Sequence, residues 1–155
     1  MQVEELGHLV LYVRDIERSS AFYRDVLGWR QILPAPEQRG KVPVAAFNAP
    51  SNRTHHELLL IEVGEDAAPL PPGRRVGLYH FGLKVGDSDD DLREALRVVQ
   101  ESGTTLLGSS DHTVTHSLYI ADPDGNEIEL YVDVPGMDWA ADPELVGAPV
   151  KPLRL

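Results

Sequence analysis

Apolar and polar positions fall into the same order twice along this chain. Residues 6–13 (LGHLVLYV) form an apolar run that predicts a strand, and Asp15 follows as N-cap of a helix ending at Leu27 with Gly28 as its stop. Ile16, Phe22, Tyr23, Val26 and Leu27 give that helix one apolar face. Residues 29–33, 42–48 and 55–63 then predict three strands, the first two joined by a polar loop with Pro34, Pro36 and Gly40. Past residues 65–75, rich in Pro and Gly, the order restarts. Residues 77–85 predict a strand, and Ser88 caps a helix with Asp89, Asp90 and Asp91 in its first turn. Leu92, Ala95, Leu96 and Val99 make its buried face, Gly103 ends it, and residues 104–107, 115–121 and 127–132 supply three further strands.

The pattern is βαβββ twice, and the register supports a repeat: His8 and His80, Asp15 and Asp87, and Glu57 and Glu129 are each 72 residues apart. The expected fold is α+β, two tandem βαβββ modules forming a curved mixed-sheet cup with the helices on its outer face. One domain over residues 1–155 would contain module one at about 4–64, a linker at 65–75, module two at about 76–134 and a tail at 135–155. The tail has little periodicity and is expected to cover a surface or a dimer seam, with Trp139 as anchor.

Within module two, Leu118 to Tyr131 (LYIADPDGNEIELY) places two alternating runs around Asp-Pro-Asp-Gly-Asn, which predicts a tight hairpin with Glu129 inside its second strand. Burying an unpaired carboxylate costs several kcal/mol, so Glu129 must meet solvent, a cation or a metal. Alternation sends His8, Val10 and Tyr12 to one face and Leu9, Leu11 and Val13 under the helix. In the second module it sends His80, Gly82 and Lys84 to the open face, together with Glu129 and Tyr131. Two histidines and one carboxylate from separate strands are the ligand set of a non-haem metal site with open positions.

Composition narrows the partners. A chain of 155 residues, 42% hydrophobic, is long enough for a real core. Its net charge of -11, from 25 acids against 14 Lys plus Arg, argues against a nucleic-acid partner. No Cys is present, which excludes thiolate ligands, Cys nucleophiles and disulfides. No stretch approaches the roughly 20 apolar residues of a membrane span and the first residues lack a leader pattern, so the expectation is a soluble, cytoplasmic protein without a membrane partner.

The strand at residues 7–13 with its helix, the HFGLKV strand and above all LYIADPDGNEIELY resemble the vicinal oxygen chelate superfamily of glyoxalases, bleomycin-resistance proteins, epimerases and extradiol catechol dioxygenases. The resemblance spans residues 6–133 and implies His8, His80 and Glu129 as ligands of a divalent metal, Fe(II) first, with Mn(II) or another ion as alternatives. It further implies that Tyr119 hydrogen-bonds a metal-bound substrate oxygen and that His112 serves as the neighbouring proton shuttle. With three protein ligands an octahedral metal keeps room for a catecholate and dioxygen, which favours extradiol ring cleavage, an oxidoreductase reaction. Were Glu57 a fourth ligand and base, a glyoxalase-like lyase or an epimerase would lead instead. The expectation is that Glu57 stays off the metal and hydrogen-bonds a ligand, a water or His55. A non-catalytic antibiotic-binding protein is the reading from another class. Tyr12, Phe47, Lys84 and Tyr131 are the expected substrate-cup residues, the partners a small molecule and O2, and the assembly a homodimer.

Overall fold

Each α-helix begins where a polar side chain satisfies free backbone N–H groups, and the sheets bury apolar side chains against the helices. A computed structural model describes residues 1–155. They form two compact units, 1–70 and 71–155. The secondary structure is mixed α and β, each unit carrying a four-stranded mixed sheet and one principal helix, in two tandem βαβββ modules.

In the first unit β1 (Leu9–Val13) leads into α1 (Ile16–Ala21), then come β2 (Arg30–Leu33), β3 (Val44–Asn48) and β4 (Leu58–Glu62). Asp15 caps α1 by accepting from the N–H groups of Glu17 and Arg18, both at 2.9 Å. The helix widens at Phe22–Val26 into a π turn, so the α-helix ends six residues before the expected stop at Leu27. Gly28, at φ 69, then turns the chain into the sheet. Strand order is β1-β4-β3-β2, with β1 parallel to β4 and the others antiparallel.

Two strand boundaries differ from expectation here. The ladder starts where Leu9 N–H meets Glu57 O at 2.9 Å, which leaves His8 just ahead of β1. His55, His56 and Glu57 likewise precede β4. Phe47 corrects the expected cup: it pairs with Leu58, is fully buried, and lies 6.2 Å from the Tyr23 ring, on the face that α1 covers. Its strand neighbours Ala45 and Ala46 are both buried, so apolar alternation gave no guide to facing at this strand.

In the second unit β5 (His80–Gly86) precedes α2 (Asp89–Glu101), followed by β6 (Leu106–Asp111), β7 (Thr115–Ala121) and β8 (Glu127–Asp133), in the order β5-β8-β7-β6. Ser88 caps α2, and Asp91 answers by accepting from the Ser88 hydroxyl at 2.7 Å and the Asp87 N–H at 3.0 Å. The strand expected at 104–107 begins later, because Thr104 N–H is still bonded to Val99 O at the helix end. It also runs further, to Asp111, where Lys151 pairs with it. Leu118, Ile120, Ile128, Leu130 and Val132 are buried with Leu92 and Val99 of α2. The alternate residues of β8, Glu127, Glu129, Tyr131 and Asp133, stay half-buried on the other face. No helix is long and apolar enough to cross a membrane.

The hairpin between β7 and β8 is fixed by one carboxylate. Asp122, 5% exposed, accepts from Asp124 N–H at 2.9 Å, Asn126 N–H at 2.8 Å and the Asn126 side-chain amide at 2.9 Å, while Gly125 takes φ 87. Replacing Asp122 by Ala leaves these donors without their acceptor, and the expected loss is about 1–3 kcal/mol of unfolding free energy in urea titration, with a smaller loss for Asp122→Asn.

Candidate metal centre

Parallel pairing of a module's first and last strands sets their side chains side by side. On β5 and β8 the register pairs His80 with Glu127 and Gly82 with Glu129. His80 Nε2 therefore comes to 3.2 Å from Glu129 Oε2, and His80 Nδ1 to 3.4 Å from Glu127 Oε1. His80 Nδ1 is buried and makes no hydrogen bond. Gly82 leaves the space beside the pair open: a Cβ there would stand 3.3 Å from Tyr131 Cε1 and 3.8 Å from Glu129 Oε2.

The residues fit a divalent cation. Imidazole nitrogen and carboxylate oxygen bound at about 2.0–2.2 Å and at right angles lie about 3 Å apart, close to the separation seen. The other ring nitrogen faces a carboxylate, as metal-bound histidines do. Within neither unit are three His, Cys, Asp or Glu side chains grouped so as to hold a metal ion. The second unit supplies the His80 and Glu129 pair, and His8 belongs to the first.

Tyr119 stands directly opposite Glu129 in the β7–β8 ladder. Its hydroxyl donates to Glu129 Oε1 at 3.4 Å and lies 2.6 Å from His112 Nε2. His112 Nε2 is 3.9 Å from the same Glu129 oxygen, and the His80 and Tyr119 ring centroids are 5.7 Å apart. Burial, and next the charge of Glu129, push the Tyr119 hydroxyl up to about 12. The loop before β7 thus brings His112 onto Tyr119. His116, four residues further on, turns to the helix side, where its Nδ1 is 2.6 Å from Asp89 Oδ1 of α2.

In the first unit the exposed His8 ring rests 4.6 Å from His56 and 5.9 Å from His55, centroid to centroid, and His55 Nδ1 is 2.6 Å from His56 Nδ1. Desolvation, then the neighbouring His55 and His8, hold the His56 imidazole below its ordinary range. Glu57 does not reach His55. Its Oε2 accepts from Ala49 N–H at 2.7 Å, and its Oε1 from the Ser51 hydroxyl at 3.1 Å and Arg53 Nε at 3.4 Å. The carboxylate that is repeat-equivalent to Glu129 therefore closes its own loop, a role that repeat spacing alone could not reveal.

Of the remaining cup candidates, Tyr131 lines a cavity of about 290 Å³ with Glu129, Thr115 and Asp133. Lys84 is tied to Asp133 at 2.8 Å and Asp87 at 2.6 Å, which hold its ammonium above the ordinary lysine range. Tyr12 is exposed on the open face of its sheet. Sequence reasoning passed over Glu127, although it sits one strand period before Glu129. It also passed over Tyr79, whose hydroxyl is held above its ordinary range by Glu127.

Comparisons with known proteins agree with this architecture. The chain is 37% identical over 139 residues to a catechol-2,3-dioxygenase of Bacillus subtilis (strain 168), a match covering 90% of this chain and 45% of that protein. It thus spans less than half of that relative. It is 28% identical over 139 residues to a lactoylglutathione lyase of Neisseria meningitidis, covering 88% of this chain and 96% of the lyase. Among solved structures, a glyoxylase/bleomycin resistance protein/dioxygenase domain from Frankia sp. EAN1pec superposes with TM-score 0.69 at 21% identity, over 86% of this chain and 100% of that one. The model of the Glyoxalase/Bleomycin resistance protein/Dioxygenase superfamily matches residues 5–130, and to that superfamily this chain belongs.

Proposed function

We propose that this domain is a metal-dependent extradiol dioxygenase, cleaving the ring of a catechol with O2. The observation that carries the reading is the cluster on β5, β7 and β8: His80 and Glu129 converge within 3.2 Å, and the Tyr119 hydroxyl bridges from Glu129 to His112. The metal ligands that the second unit offers are His80 and Glu129. When bound there, Fe(II) supplies the redox-active centre that ring cleavage by dioxygen requires, and Mn(II) suits the same nitrogen and oxygen donors.

The chain's own residues do the rest. Tyr119 offers its O–H to a catechol oxygen and orients the ring. His112, in contact with that hydroxyl, takes or returns a proton on the far side of it. Tyr131 and Thr115, both half-buried, form the wall beside this cluster. Similarity to a catechol dioxygenase at 37% identity supports the substrate class.

The lyase or epimerase reading takes Glu57 as fourth ligand and base. Glu57 is the residue equivalent to Glu129 in the other module, and both its oxygens are engaged by Ala49, Ser51 and Arg53. That engagement counts against a role as base.

Anaerobic loading with Fe(II), followed by catechol and air, is expected to give oxygen uptake and a yellow ring-fission product. Methylglyoxal with a thiol should give no turnover. His112→Gln should lower kcat by about 10²-fold or more while metal content holds, and His80→Ala or Glu129→Ala should abolish metal retention. Turnover of methylglyoxal without oxygen uptake would reverse the assignment, and failure to load any metal would leave a binding protein.

Glu57→Gln provides a separate check. The expected outcome is unchanged metal stoichiometry and a loss of about 1–3 kcal/mol in stability, read by metal analysis and urea unfolding, because a loop acceptor is weakened and no ligand is removed.

A further inference from the structure

After β8 the chain leaves the sheet and comes back to it. Val134 N–H donates to Val114 O at 2.9 Å, and sixteen residues of chain separate it from Lys151. There an antiparallel bridge forms, Asp111 N–H donating to Lys151 O at 2.9 Å and Lys151 N–H to Asp111 O at 2.8 Å. Both attachment points flank the loop that carries His112.

The loop is held tightly. Thr113 takes φ 72, a left-handed conformation that a β-branched residue adopts only under constraint. Its N–H donates to Asp111 Oδ1 at 2.7 Å, and its Oγ1 accepts from Lys151 Nζ at 3.3 Å. Lys151 thus grips the residue before His112 through its backbone and the residue after it through its side chain. His112 Nε2 in turn meets the Tyr119 hydroxyl at 2.6 Å.

Between its attachments the segment carries a short 3-10 turn, Pro143–Gly147, and brings Trp139 and Val146 to the wall of the cavity that Glu129 and Tyr131 also line. Trp139 is 52% exposed and Val146 63%, so their apolar surface is left uncovered at that wall. A flat apolar group seated there would remove that surface from water, whereas a small polar substrate would gain nothing from it.

We propose that residues 135–151 are a strap belonging to the site. Trp139 and Val146 select an aromatic ring with an apolar substituent beside Glu129, and Lys151 is a positioning residue that keeps His112 on Tyr119. The chemical identity of the ring rests on the dioxygenase reading; the grip on His112 does not.

The test separates the two. In metal-free protein labelled with 15N-histidine, at fixed pH, the His112 ring resonance is identified by its loss in His112→Gln. It should move in Lys151→Ala and return in Lys151→Arg, with far-UV circular dichroism unchanged. In a Trp29→Phe protein, where Trp139 is the remaining tryptophan, 3-phenylcatechol should change the emission saturably, and catechol less. In the Fe(II)-loaded enzyme Lys151→Ala should lower kcat with KM for catechol nearly constant. Trp139→Ala should raise KM for 3-phenylcatechol by about tenfold with kcat nearly constant. A His112 resonance indifferent to Lys151→Ala overturns the positioning role. A Trp139 emission indifferent to 3-phenylcatechol at millimolar concentration overturns the wall. If the loaded protein cleaves no catechol, the dioxygenase reading falls while the His112 resonance still decides the grip of Lys151.

Discussion

The parallel pairing of each module's first strand with its last is the constraint on which the rest depends. In the second unit it sets β5 beside β8, and only that neighbourhood brings His80 to both Glu127 and Glu129. An antiparallel neighbour would have been joined by a short turn. The parallel one requires a long crossover, which α2, β6 and β7 fill, with α2 covering the apolar face of the sheet. The polar face of β8 is thereby left open, because the same period-two alternation that buries Ile128, Leu130 and Val132 cannot bury Glu129. Core and site are thus two faces of one strand.

Much of this was legible in the sequence because it rests on local rules. The caps at Asp15 and Ser88, the turn at Gly125 and the strand at Thr115–Ala121 follow from residue chemistry at short range. The pairing of Tyr119 with Glu129 follows from counting across the turn. What escaped depends on partners distant in sequence or on ambiguous facing. Phe47 lies beside two buried alanines, so alternation did not say which way it turned. Asp111 and Lys151 are forty residues apart, Lys151 lies in the aperiodic tail, and nothing local marks either as a bridge. The π turn at Phe22–Val26 keeps an apolar face that resembles ordinary helix.

The repeat carries a further lesson in what equivalence means. Glu57 and Glu129 occupy matching positions, yet the first has Ala49, Ser51 and Arg53 within reach while the second has a histidine, a tyrosine and a glycine-made gap. A carboxylate satisfied by an N–H, a hydroxyl and a guanidinium has little left to offer a cation. The two modules share a scaffold and differ in chemistry through the loop that precedes one strand. Asp15 and Asp87 diverge in the same manner, since the cap in the second module falls one residue later, on Ser88.

The buried Asp122 carboxylate has a consequence beyond the turn it closes. By fixing that turn through three hydrogen bonds of its own, it sets the register in which Tyr119 faces Glu129 without help from any ligand. The acceptor and the hydroxyl therefore reach their mutual geometry during folding, and a ligand bound there as proposed would meet them preorganised, with little conformational entropy left to lose.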